Sequence, residues 1–112
     1  MKPKHYYNDT FQTNYWFFIG VSSKYFIDYM KKFYNVTIDI DQRCNGKTLQ
    51  IEKENAVVQI VWVRDKKRLD VLAHECVHAA NMTFYGIGLP ASYDNDETQA
   101  YLVQALFNKA IL

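Results

Sequence analysis

The chain has 112 residues, enough for one domain with its own core and no more. Apolar residues make up 49% of it and aromatics 16%, which excludes a disordered, highly charged segment. Thirteen basic and twelve acidic residues leave a formal charge of +1, so no strong net field exists to recruit nucleic acid or an anionic membrane.

Residues 6–20 are strongly aromatic and β-branched, with turn residues at Asn8-Asp9 and Thr13-Asn14, and predict one or two strands. Ser22 or Ser23 can cap a helix whose apolar positions Tyr25, Phe26, Tyr29, Met30 and Phe33 recur at helical spacing, ending near Asn35. Residues 36–40 alternate like a short strand with one buried face, residues 43–47 around Asn45-Gly46 read as a turn, and residues 48–52 as the next strand. Glu54-Asn55 marks another turn. Residues 56–63 are almost wholly apolar, as in a strand covered on both faces. Asp65 is the expected N-cap of a second helix that buries Leu69, Leu72, Ala73, Cys76 and Ala80 and stops at Gly86. Gly86, Gly88 and Pro90 then form a loop to the capping cluster Asp94-Asn95-Asp96, which opens a last helix through Ala110. The sum is an α+β fold, a single domain over residues 1–112 with three helices and a small, mostly antiparallel sheet of four or five strands.

Two cysteines, Cys44 and Cys76, are too few for a disulfide scaffold and fit a reducing cytoplasm. The N-terminal residues lack the apolar run of a signal peptide, and the longest apolar stretch, residues 15–21, is too short to span a bilayer. Basic residues Arg64, Lys66, Lys67 and Arg68 are interrupted by Asp65 and followed by Asp70, which reads as the solvated start of a helix.

The chemistry is concentrated in His74-Glu75-Cys76-Val77-His78, on the second helix. Imidazoles four residues apart share a helix face, and the glutamate between them lies close enough to act on whatever they bind, the HExxH pattern of zinc hydrolases. At about 100° per residue His74, His78, Asn81 and Tyr85 form one stripe, with Glu75 and Val71 along its edge, apart from the stripe that enters the core. A catalytic zinc takes three protein ligands and keeps a fourth position for water, so a third donor is needed. His5 is the only other histidine, and no Cys, Asp or Glu follows His78 within one turn. Glu97, on the first turn of the last helix, is the best remaining choice.

In this pattern the chain resembles the gluzincin branch of zinc metallopeptidases, whose signature is HExxH followed by a glutamate on a downstream helix. The resemblance covers about the last fifty residues, and implies a zincin-like fold with His74, His78 and Glu97 as ligands of Zn2+ and Glu75 as general base. The metzincin pattern would put glycine at position 81 and histidine at position 84, where this chain has Asn81 and Phe84. Many gluzincins carry an aspartate four residues after the third ligand to orient a histidine. Here that position is Tyr101, a donor in place of an acceptor, and Asp94 or Asp96 can supply the acceptor instead. Residues 94–106 are also similar to small uncharacterised HExxH proteins of bacteriophage.

A donor to the developing oxyanion is sought among Tyr85, Tyr93 and Tyr101, and Tyr101, one turn on from Glu97 on the same face, is favoured. The expected function is hydrolysis of peptide bonds in a peptide or protein substrate, with no nucleic acid and no membrane involved. An exposed strand edge, taken here to be aromatic, would bind the substrate as an added strand. Peptidases of this kind commonly wall the cleft with a second domain, so a homodimer or partner protein is expected to complete it. The alternative is a zincin-like protein-binding module, for instance a phage-encoded interaction protein, that keeps zinc for structure.

Overall fold

In the computed structural model, which describes residues 3–54, 56–89 and 92–112, the chain runs β1 (Lys4–Asn8), β2 (Thr13–Ile19), α1 (Ser23–Tyr34), β3 (Gly46–Lys53), β4 (Ala56–Val63), α2 (Leu69–Gly86) and α3 (Asp96–Ile111). A 3-10 turn, Tyr93–Asn95, leads into α3. The four strands form one sheet in the order β1-β2-β4-β3. The outer pairs are antiparallel and the central β2·β4 pair is parallel, so the sheet is mixed, with antiparallel pairing in the majority. The fold is α+β, with the HExxH motif on the second of three helices.

The two central strands are covered on both faces, and their alternation sorts side chains between two cores. Phe18, Val58, Ile60 and Trp62 point to one side, where Phe26 and Met30 of α1 cover them. Tyr15, Phe17, Val61 and Val63 point to the other, under α2 and α3. The apolar run of β4 is therefore a strand buried between two helical layers. Among the described residues no helix is long and apolar enough to cross a membrane.

Helix α1 starts and stops on local chemistry. The Ser22 hydroxyl accepts from the Tyr25 amide at 3.1 Å, and Asn35 closes the helix in the left-handed region at φ 55°. Two expectations fail. Residues 36–40 form no strand: Val36, Ile38 and Ile40 turn inward in alternation, but onto the α1-side core, so the alternation reports burial without ladder pairing. Nor is Asp65 a helix cap. Its carboxylate accepts from the Lys67 amide at 2.9 Å and its carbonyl from the Arg68 amide at 3.0 Å, which makes a tight turn and delays α2 to Leu69. Leu69 consequently stands outside the core, 51% exposed. The expected turn at Glu54-Asn55 joins the paired Lys53 and Ala56, with Glu54 at φ 53°, while Asn55 itself and Pro90 lie outside the described residues.

Candidate metal centre

Helix α2 presents three different sides. Leu72, Cys76, Ala79 and Thr83 face the sheet, where Thr83 Oγ1 lies 2.9 Å from the Ala79 carbonyl, 2.6 Å from the Tyr15 hydroxyl and 3.0 Å from the Gln59 side-chain amide. Burial pushes the Tyr15 phenol up, with the bonds to Thr83 and Thr13 opposing it. Burial, with the neighbouring Glu75 charge, pushes the Cys76 thiol up to about 12, so it packs here as an apolar group. Cys76 and Cys44 are both free.

On the opposite side His74 and His78 are exposed. Their rings meet edge to face with centroids 4.7 Å apart, and the two Nε2 atoms are 3.1 Å from each other. That distance is a hydrogen bond between imidazoles. It also suits a shared ion, since two nitrogens each about 2.0–2.1 Å from one tetrahedral zinc are roughly 3.3–3.4 Å apart. Two imidazole nitrogens are donors that zinc accepts, and they make two of the three protein ligands that a catalytic zinc takes.

Glu75 lies about 100° further round the helix, on the side that faces β3. It is 6% exposed, and Thr48 Oγ1 stands 2.8 Å from its Oε1 and 3.1 Å from its backbone oxygen. The single hydroxyl hydrogen goes to the nearer, charged acceptor. The approach of β3 to α2 requires Gly46: a Cβ there would sit 2.7 Å from Val71 Cγ1 and 3.0 Å from Glu75 Cγ. A polar hollow of about 290 Å³ joins His74 and Glu75, lined also by Asn45, Gly46, Asp70 and Val71. Asp70 precedes His74 by one helical turn, and the guanidinium of Arg68, with both N···O distances 3.0 Å, holds its carboxyl well below the usual range, at about 2. Its spacing to His74, four residues, was available in the sequence. Thr48 had no such signal, because only the docking of β3 on α2 brings it to Glu75.

The other flank of the histidine stripe is an apolar groove of about 600 Å³ between α2 and α3, lined by residues that include Val77, Ala100, Val103 and Phe107. Helix α3 docks on α2 through Leu102, Leu106 and Ala110, and Gln99 donates to Asn81 on the stripe itself. Glu97 and Tyr101 are exposed on α3, and Glu97 lies about 160° round the helix from Gln99. Among the described residues no third His, Cys, Asp or Glu joins the histidines in a group that could hold a metal. Asp94 is exposed in the 3-10 turn and Asp96 lines the groove. Tyr85 is 77% exposed, and the Tyr93 side chain is outside the described part. His5 packs tilted against Trp16, with centroids 4.4 Å apart, and meets Asn14 at 2.8 Å on the α1 side of the sheet, away from the motif. Comparison of the chain with protein-family models, with curated proteins and with solved structures returned no match.

Proposed function

We propose that this chain is a zincin-like, zinc-dependent metallopeptidase of gluzincin type. The observation that carries the reading is the pair of Nε2 atoms 3.1 Å apart on one open face of α2, with the buried Glu75 lining one hollow together with His74. His74 and His78 would hold the metal, with Glu97 as the third ligand. For Glu97 to serve, the first turn of α3 must bring its outer side to the histidines. Bound zinc supplies a Lewis acid that lowers the pKa of water from about 15.7 to near 7 and polarises a carbonyl. Glu75 takes the proton from the attacking water and hands it to the leaving amine. Tyr101 is the proposed donor to the oxyanion, subject to the same rearrangement of α3.

The substrate would be a peptide in extended form. Among the described residues strand β3 pairs with β4 alone, so its outer edge is available for an added strand beside Glu75. That edge belongs to Gly46–Lys53, which has no aromatic residue, in place of the aromatic strands named by composition. A homodimer or a partner protein would wall the opposite side of the cleft. Two free cysteines fit a cytoplasmic setting.

A second reading, a zincin-like binding module that keeps zinc for structure, draws on the apolar groove beside the histidines and on the outward position of Glu97. A likeness to phage HExxH proteins belongs with this reading. Glu75→Gln discriminates: zinc content equal to wild type with loss of peptide-library cleavage supports the peptidase, and absence of cleavage by the zinc-loaded wild type supports the module. Glu97→Ala tests the ligand set, with weakened zinc affinity expected and unchanged affinity removing Glu97.

A further inference from the structure

We infer that Thr48 is a positioning residue for Glu75: it fixes one carboxylate oxygen and leaves the other to carry the proton, an inference that rests on the peptidase reading above. A glutamate on a helix surface samples many rotamers, and a base that must meet a water in one geometry loses rate to that freedom. Here Oε1 is held at 2.8 Å by the Thr48 hydroxyl, and the side chain is almost wholly buried. The support is rigid. Thr48 sits mid-strand in β3 opposite Val61 of β4, and its β-branched side chain has a stiff χ1. Neighbouring Leu49 and Ile51 anchor the strand in the α1-side core, and Gln50 meets Gln59 at 3.1 Å, so the hydroxyl is aimed at Glu75 from a strand tied on both faces. Gly46, two residues earlier, lets the strand come this close to the glutamate.

The division of labour between the two oxygens follows. Oε2 takes one proton from water as the new carbon–oxygen bond forms at the scissile carbonyl. It returns that proton to the amide nitrogen as the carbon–nitrogen bond breaks, the other water hydrogen staying on the product carboxyl group. Glu75 ends the cycle ionised, with Oε1 still bonded to Thr48.

The test compares Thr48→Val, which keeps the shape and removes the hydroxyl, with Thr48→Ser, which keeps the donor. In zinc-loaded protein cleaving a peptide selected from a library, Thr48→Val should lower kcat about 10- to 100-fold with KM and zinc affinity unchanged, and Thr48→Ser should restore most of the loss. Wild-type kcat in Thr48→Val, or a serine variant as slow as the valine variant, overturns the inference and leaves the peptidase reading standing. A wild type that cleaves nothing in the library overturns both. An independent readout uses metal-free protein: urea midpoints of Thr48→Val, Glu75→Ala and the double variant should be non-additive, and strictly additive shifts would show that the two side chains are not coupled.

Discussion

The two faces of the sheet are made from the same alternating strands and end in opposite conditions. On the α1 side the aromatic side chains close on one another: Phe26 stacks on Trp62 at 5.7 Å and meets Phe18 edge to face at 5.1 Å. The most deeply buried indole there, that of Trp62, donates its N–H to the Val21 carbonyl at 2.9 Å. On the other side two helices share the cover. They bury Thr83, Gln59 and Tyr15 in a bonded network, and they leave a groove between themselves and a hollow between α2 and β3. The histidine pair lies along the top of α2 between these two openings. Helix α1 and residues 36–40 close one face, whereas two helices leave seams on the other, and the histidine pair stands beside those seams.

Substitutions on each face sharpen that contrast. Trp62→Ala should cost the most, about 3–5 kcal/mol in urea unfolding, because it empties the closed face and abandons its stacking partner. A loss under 1 kcal/mol would mean that the α1 side is not the sealed core described. Gly46→Ala should cost about 1–3 kcal/mol, since its methyl meets Val71 and Glu75 too closely, and should separate β3 from α2. Tyr15→Phe should cost about 0.5–1.5 kcal/mol at neutral pH, because Thr83 keeps its other partners. The same variant carries a pH signature. Burial raises the Tyr15 phenol, so the unfolded chain releases this proton first, and stability present below about pH 10 is lost above it. The phenylalanine variant should lose less on going to alkaline pH. Smallest of all, His74→Ala and His78→Ala should move the stability of metal-free protein by less than about 0.5 kcal/mol, because both rings are exposed. A large loss there would make the pair a structural contact.

What could be read in the residues is what depends on local geometry. Helix α1 follows from Ser22, a periodic apolar stripe and Asn35, and β4 from an apolar run broken at Gln59 between turn residues. The histidines come together because four residues make about one helical turn, whatever surrounds them. Residues 36–40 misled because alternation records which side chains are buried, and a helix-side core buries them as well as a sheet does. Asp65 misled because the same side chain that caps a helix also closes a turn. The facing of Glu97 depends on how α3 is rotated about its own axis, which Leu102, Leu106 and the Gln99–Asn81 bond decide from a distance. The Thr48–Glu75 bond spans 27 positions and is created only by packing.

Calorimetric titration of metal-free protein with zinc tests the central claim most directly. The account predicts one zinc bound per chain by wild type, and loss of that binding in the His74→Ala/His78→Ala double variant with the fold retained. No binding by wild type, or undiminished binding by the double variant, would contradict it.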